Sequence, residues 1–357
     1  MKKILFALLA ATMLIGCQEK KDDDVIRIDT IMPLTGQGAS VGENVKSAVD
    51  LCAQTWNARG GVNGKKIIVN HHDSQGLSKY GQTIANKIML SYTPNIVLSG
   101  ISGVALSAQP ILERNQVLHE CIVSTDKIFS EGINYTIRNY LSTQNICSYF
   151  MELLDTYFKK QSFGLIYTNT DYGISFKDGF ENANSIDDSQ VMVWEEVLDE
   201  NNLDYKTQLY KLDIKSTDVI YVAARYQTLG RIIKQLRECG YSGLIVCDTH
   251  LNSASALNII GNDKSNLYYI DVVKSEETNR IQQQIKEIYH IEPDNIALIA
   301  YNGIDLIISC MQQTNIYEGP QLMSALQDFQ YNGIFGNIKI NNNDIVLPLT
   351  LEKISYE

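Results

Sequence analysis

Short apolar runs alternate with helix-length amphipathic segments along this chain, and the alternation constrains the fold more than any other feature. Parallel strands covered by helices on both faces have this pattern, because both faces of each strand are buried. The sequence therefore predicts the α/β class, with doubly wound parallel sheets. The predicted strands are Val25–Met32, Lys66–Asn70, Asn95–Leu98, Val117–Val123, Phe163–Tyr167, Gln190–Trp194, Val219–Ala223, Leu244–Cys247 and Leu267–Val272. The predicted helices between them are Gly42–Ala58, Lys79–Leu90, Val104–Asn115, Ile146–Phe158, Ile174–Asn182 and Gln227–Cys239.

Two series of strand–helix units indicate two lobes. The chain has 357 residues, which is too long for one ordinary core. The first series ends near residue 143 and the second starts near residue 161. We expect residues 25–143 and 275–335 to form lobe 1 and residues 144–274 and 336–357 to form lobe 2, with a hinge at the crossovers.

The charge balance excludes some classes of partner. Lys and Arg total 30 against 41 Asp and Glu, for a formal net charge of −11. An acidic chain without a basic block argues against nucleic acid as the main partner. The ordinary share of apolar residues, 45%, indicates a globular protein rather than a disordered one.

The N-terminus has the features of an exported protein. Lys2 and Lys3 precede an apolar stretch of signal-peptide length, which is short for a membrane span. The stretch ends in Leu14-Ile15-Gly16-Cys17, which resembles the lipobox of bacterial lipoproteins. The resemblance implies that residues 1–16 are removed, that Cys17 carries a lipid, and that residues 17–24 form an acidic tether. We expect a lipid-anchored protein of a Gram-negative cell envelope, facing the periplasm or the cell surface.

The six cysteines beyond Cys17 show no pairing or metal-binding pattern. Several lie within apolar runs, which favours buried free thiols. The five histidines likewise share no metal-ligand spacing. The sequence therefore predicts no metal and no cofactor.

Motifs spread over nearly the whole mature chain resemble one protein family. They comprise Ile31-Met32-Pro33-Leu34-Thr35-Gly36, Trp56–Lys66, Ser99–Gly103, Val123–Asp126, Asp171-Tyr172-Gly173, Arg225-Tyr226, Cys247-Asp248-Thr249 and Ala300–Gly303. The set is similar to the type I periplasmic binding proteins of the leucine/isoleucine/valine-binding branch. That resemblance implies two lobes that close on a small polar ligand, an amino acid or a close relative, for delivery to an ABC permease.

The resemblance also implies a set of ligand-binding residues. Ser102 and Thr125 are expected to hold the ligand carboxylate, with Gly103 and Ser124 nearby, because hydroxyl and backbone donors at strand ends suit an anion. Tyr172 and Tyr226 are expected to cover the ligand from lobe 2. Asp248 is expected to accept from the ligand ammonium.

Alternatives remain open at several of these positions. Ser102 and Thr125 are also suited to plain helix capping, and Tyr172 to the core. Thr249 replaces Asp248 if the alignment shifts by one residue. Ser40-Val41 stands where relatives specific for branched-chain amino acids carry a large aromatic residue, which predicts a differently shaped side-chain pocket.

Two other functional classes compete with transport. Gly36-x-Gly38-x-x-x-Gly42 resembles a dinucleotide fingerprint, but its spacing is one residue longer than G-x-G-x-x-G, and no G-x-S-x-G motif supports a hydrolase. We therefore expect no enzyme. A ligand-sensing receptor lipoprotein that is not coupled to transport fits the same sequence.

Overall fold

The computed structural model describes residues 24–36, 38–160, 162–184 and 191–354. The predicted signal peptide, the lipidation residue Cys17 and most of the acidic tether lie outside the described residues. Two separate sheets dominate the fold, each flanked by helices. The predicted α/β class is confirmed.

The first sheet forms the centre of lobe 1. It has seven strands in the order β13-β14-β5-β4-β3-β1-β2, and β1 to β5 are parallel. Strand β1 was predicted with its observed bounds. Strand β5, with only three residues, was not predicted. The bounds are β1 Val25–Met32, β2 Lys66–Asp73, β3 Ile96–Gly100, β4 Leu118–Ile122, β5 Thr136–Arg138, β13 Ile340–Asn341 and β14 Asp344–Ile345.

The second sheet forms the centre of lobe 2. It has six strands in the order β15-β10-β9-β8-β6-β7, of which only the edge strand β15 is antiparallel to its neighbour. Strands β8 and β10 have the predicted bounds. The bounds are β6 Ser162–Thr168, β7 Val191–Leu198, β8 Val219–Ala223, β9 Leu244–Asp248, β10 Leu267–Val272 and β15 Leu349–Lys353. A separate hairpin pairs β11 (Tyr331–Gly333) with β12 (Gly336–Ile338).

Helices connect the strands and cover the sheets. Their bounds are α1 Ala39–Ala58, α2 Ser78–Ser91, α3 Ser102–Arg114, α4 Thr143–Leu153, α5 Asp171–Asn184, α6 Lys206–Leu209, α7 Tyr226–Glu238, α8 Ala254–Ile260, α9 Glu276–Tyr289, α10 Asn295–Thr314 and α11 Gly319–Asp328. A π-helical turn, Leu154–Phe158, extends α4. Helix α9 begins at a capping box in which Ser275 and Thr278 satisfy each other's backbone N–H groups.

The C-terminal segment returns to both sheets. Asp344 of β14 pairs with Arg138 of β5 in the first sheet, whereas Leu349–Lys353 pairs with β10 in the second. The expectation that residues 336–357 belong wholly to lobe 2 is therefore corrected for 340–345. Strands of two residues carry too little pattern for the sequence to assign them to a sheet.

Helix α10 is the central helix of lobe 1. By length and composition it alone among the described helices is apolar enough to cross a membrane, but 83% of its apolar window is buried inside the fold. It packs along α1, and Ala297, Ile304 and Ile307 are fully buried. We therefore describe it as a core helix.

Candidate ligand-binding site

A cavity lies between the lobes, at the carboxyl ends of strands from both sheets. This is where open α/β sheets bind ligands. The space that no protein atom fills measures about 370 Å³, including its opening to solvent. Lobe 1 lines it with Met32, Val41, Gly100, Ile101, Ser102, Ile122, Val123, Ser124 and Ile296, lobe 2 with Tyr172, Arg225, Tyr226 and His250, and the segment after β5 with Tyr140.

Lobe 1 contributes two serine side chains to the lining of this cavity. Ser102 is the first residue of α3, directly after β3, and is 3% exposed. Ser124 follows β4 and is 1% exposed, and its Oγ has no hydrogen-bond partner among the described residues. Buried hydroxyls are nearly always hydrogen-bonded, so Ser124 is a group that a ligand would satisfy.

The backbone of Ser124 is held rigidly from behind. Its carbonyl oxygen accepts from Arg138 Nη1 at 3.0 Å and from Thr143 Oγ1 at 2.8 Å. Arg138 also bonds Asp126, with Nη1 2.7 Å from Oδ1, and Asp344, with Nε 2.8 Å from Oδ1. These contacts fix the direction of the Ser124 side chain, because its main chain cannot rotate without breaking them.

On the lobe 2 side of the cavity, Tyr172 and His250 are hydrogen-bonded to Asp248. The Tyr172 hydroxyl donates to Asp248 Oδ2 at 2.8 Å, and His250 places its backbone N–H 3.1 Å and its Nδ1 2.8 Å from Asp248 Oδ1. Burial, followed by the charge of Asp248, holds the pKa of Tyr172 well above its usual range. Tyr172 therefore remains a neutral donor. Asp248 orients Tyr172 and His250, and these two side chains line the cavity.

Arg225 brings a cation to the cavity wall. It is 9% exposed, and its guanidinium lies over the Tyr172 ring, 5.4 Å from the centroid. Its Nη2 lies 3.4 Å from Glu200 Oε1, a long contact, while its buried Nε has no partner among the described residues. The guanidinium therefore keeps hydrogen-bonding capacity for a ligand.

Two residues of the lining have left-handed backbone conformations. Ile101 (φ 67°) directly precedes α3, and Tyr226 (φ 49°) is the first residue of α7. Both helices begin at the cavity. Positive φ is rare for bulky side chains and strongly so for β-branched ones. Such outliers persist where the surrounding structure fixes them, commonly at ligand-binding sites.

The structure brings together four of the seven residues predicted to bind ligand and places three outside the lining. Ser102, Ser124, Tyr172 and Tyr226 line the cavity. Thr125 does not, since its Oγ1 meets Ser175 of lobe 2 at 2.6 Å. Gly103 lies instead where α3 passes close to α2 and α5, and a Cβ there would come 2.3 Å from Ser78 Oγ and 3.1 Å from Asp171 Oδ2.

Asp248 is the third residue whose placement differs from the expectation. Both of its carboxylate oxygens are used within lobe 2, so it lies one layer behind the cavity surface. His250, two residues later, takes the surface position. The sequence alone did not identify Arg225 or Tyr140 as site residues, although the position of Arg225 at the end of β8 was a usable signal.

A buried group of Ser99, His119 and Cys121 resembles a nucleophile and its base but has other properties. His119 Nε2 lies 2.7 Å from Ser99 Oγ and 3.2 Å from Cys121 Sγ. Burial lowers the pKa of His119 to about 3 and raises that of the Cys121 thiol far above its usual range. The thiol therefore stays protonated and His119 is a weak base, so we describe the group as a polar link between β3 and β4.

The cysteines of the described chain are unpaired, and its possible metal ligands are dispersed. Six cysteines are buried free thiols, as the sequence predicted: Cys52, Cys121, Cys147, Cys239, Cys247 and Cys310. Among the described residues no three His, Cys, Asp or Glu side chains are grouped to hold a metal ion.

Comparison with known proteins places the chain in a family. The model of the periplasmic binding protein family matches residues 25–348. The chain belongs to the periplasmic binding protein family. The predicted resemblance to the type I periplasmic binding proteins is thereby confirmed, and the family consists of binding proteins, not enzymes. The chain is therefore a solute-binding protein of the periplasmic, extracytoplasmic type.

Individual relatives are distant in sequence and close in fold. The Leu/Ile/Val-binding protein homolog 3 of Brucella melitensis is 21% identical over 285 residues, 79% of this chain and 77% of that protein. LivJ of Streptococcus pneumoniae, solved with isoleucine, matches 92% of this chain and 96% of its own with a TM-score of 0.83 at 18% identity. A solute-binding protein of Rhodopseudomonas palustris, solved with 3,4-dihydroxybenzoic acid, matches 93% of both chains with a TM-score of 0.82 at 19% identity. The two-lobed periplasmic binding protein fold is therefore shared across solved structures with different ligands.

Proposed function

We propose that this periplasmic binding protein captures a small carboxylate-bearing solute by closure of its two lobes and delivers it to an ABC permease. The sequence led us to expect an amino acid or a close relative. The observation that carries the proposal is the cavity between the lobes, where buried hydrogen-bonding groups of both lobes face one small space. Convergent polar groups in an otherwise apolar pocket are typical of a small-molecule site.

Lobe closure follows from the way the two lobes share the lining. Ser102 and Ser124 approach from lobe 1, and Tyr172, Arg225 and Tyr226 from lobe 2, so a ligand in contact with all of them bridges the lobes. A ligand that binds the closed form better shifts the open–closed equilibrium toward it, and a permease that recognises the closed form takes up only loaded protein.

Attachment to the cell envelope completes the proposal. Cys17 would carry the lipid and residues 17–24 would tether the two lobes to a membrane of a Gram-negative cell envelope. Retention at the membrane keeps the binding protein near its permease.

Thermal melts of the chain from Gln18 onward test the proposal. A solute at about 100 times its Kd adds about 2.7 kcal/mol of stability and raises the melting temperature by several degrees. Small-angle scattering on the same sample should show compaction with the stabilising solute. A folded, solute-free protein that no small polar molecule stabilises or compacts would contradict the proposal.

A further inference from the structure

We propose that the ligand is a monocarboxylic acid with an apolar or aromatic body and without an ammonium group. The inference rests on the proposed function and narrows its substrate class. It departs from the expectation of an amino acid because the cavity lining has a cation and several donors, and within the described chain no lining residue is Asp or Glu. Three observations support it.

The nearby carboxylates are already engaged by the protein. Asp248 accepts from Tyr172 and contacts His250, and Glu200 faces Arg225. Asp294 caps helix α10 by accepting from the Ala297 backbone N–H at 3.0 Å. None of these carboxylates lines the cavity, so a ligand ammonium would have no carboxylate in the lining to pair with directly, and a buried charge without a direct partner is unfavourable.

The lining residues whose buried polar atoms lack a hydrogen-bond partner favour an anion over a cation. Arg225 Nε, Ser124 Oγ and Tyr140 Oη are buried and have no partner among the described residues. All three can donate, and the guanidinium is always charged. Burial, followed by the charge of Asp248, keeps the pKa of Tyr140 well above its usual range, so its hydroxyl retains its proton. A carboxylate is an acceptor that suits donors of this kind.

The apolar and aromatic residues of the lining indicate the chemical character of the rest of the ligand, beyond its carboxylate. Six apolar side chains of lobe 1 face the cavity: Met32, Val41, Ile101, Ile122, Val123 and Ile296. On the opposite side the rings of Tyr172 and Tyr226 lie 5.3 Å and 5.0 Å from His250, centroid to centroid. One guanidinium against an otherwise apolar and aromatic surface matches one carboxylate on an apolar or aromatic skeleton.

Calorimetry with matched ligand pairs tests the inference on the full chain after refolding from denaturant, which removes any co-purified solute. Two pairs compare an amino acid with an acid that lacks the ammonium group: leucine with 4-methyl-2-oxopentanoate, and phenylalanine with phenylacetate. A third pair, benzoate and benzylamine, compares an acid with an amine that also carries a single aromatic ring. We expect at least one acid to bind about tenfold or more tightly than its amino acid or amine counterpart. An amino acid that binds as tightly as its paired acid would overturn the inference and leave the proposed function intact. A panel in which no acid binds would overturn the inference, and the proposed function would also fall if the thermal melts found no stabilising solute.

Variants of Arg225 test the same inference independently. Arg225→Gln should weaken binding of the preferred acid about tenfold or more, because it removes the charged partner of a buried carboxylate. Arg225→Lys, which keeps the charge, should retain part of the affinity. Lys234→Gln is the matched control, since Lys234 is exposed on the same helix outside the cavity lining and its loss changes the net charge equally. Unchanged acid binding by folded Arg225→Gln would overturn the inference.

Discussion

The Ser175 hydroxyl donates to Thr125 Oγ1 across the cleft, with 2.6 Å between the two oxygens. Thr125 follows β4 in lobe 1, whereas Ser175 lies in α5 of lobe 2. Both side chains are buried, at 0% and 6% exposure. Because the two oxygens belong to different lobes, separation of the lobes would break this hydrogen bond, so we expect it to stabilise the closed state.

Removal of that hydrogen bond should weaken ligand binding. A neutral hydrogen bond contributes about 0.5–1.5 kcal/mol, so Ser175→Ala should reduce affinity by roughly two- to tenfold. Isothermal calorimetry with the identified solute measures the effect. Ser148→Ala, at an exposed position on α4, is the control and should bind normally. Equal affinities for the two variants would show that the bond does not favour closure.

Arg138 should be a major contributor to the stability of lobe 1. Its buried guanidinium bonds both Asp126 and Asp344. Removal of one partner from a buried ion pair commonly costs about 3–5 kcal/mol, and we expect Arg138→Met to lose about 3 kcal/mol, because Asp126 is half exposed. Urea unfolding measures this loss. The exposed pair Arg280–Glu277 is the comparison, and Arg280→Gln should change stability by about 0.5 kcal/mol or less.

Stability should fall as the pH rises from about 5 to about 8. Burial raises the pKa of Glu120 to about 8 and that of Asp271 to about 7, whereas in the unfolded chain such groups titrate near 4. Between these values the folded protein binds protons that the unfolded chain has released, so each pH unit removes up to about 1.4 kcal/mol per group.

Chemical denaturation at several pH values tests this pH dependence. Glu120→Gln keeps an acceptor for the Asn139 amide, which donates to Glu120 Oε1 at 2.8 Å, and should flatten the slope between pH 5 and 8. Glu131→Gln, at an exposed position, should leave the slope unchanged. If the Glu120→Gln protein showed the same slope as the unmodified protein, the pH dependence could not be assigned to the Glu120 carboxyl.

Lipidation at Cys17 is a prediction outside the described residues. Cys17→Ala should abolish incorporation of a labelled fatty acid and release the protein from the membrane fraction. Cys52→Ala is the matched control. Cys52 is buried, so its removal should leave fatty-acid labelling and membrane association unchanged. Persistent labelling of Cys17→Ala would refute the anchor.

The elements with a clear apolar pattern were predictable from sequence, and those without one were not. Strands β1, β8 and β10 were predicted to the residue because apolar runs and turn residues define both of their ends. Helix α9 was missed, since Glu276–Tyr289 is mostly polar and only two of its isoleucines are buried. Strand β14 pairs with β13 and joins β5 only through Asp344 and Arg138, a tertiary contact that no local pattern encodes.

The candidate site was predictable in position but only partly in chemistry. The resemblance to the family, together with hydroxyl residues at strand ends, pointed to Ser102, Ser124, Tyr172 and Tyr226. These four residues line the cavity, and their contact with a ligand stays a prediction. Whether Asp248 or His250 faces the ligand depends on the turn Thr249–Asn252 that follows β9, because it sets the direction of each side chain. Such a turn has too few residues for a periodic pattern, so the sequence alone could not decide between the two side chains.

The placement of β14 and β15 has a consequence for biosynthesis. A ribosome releases the chain from its amino end, so both sheets lack their final strands until residues 344–353 have been made. Until then β5 and β10 each present an unpaired edge, which is a template for association with other chains. Both sheets therefore keep an open edge until these residues have been made, and loss of residues 344–353 would leave each sheet with an edge on which other chains can pair.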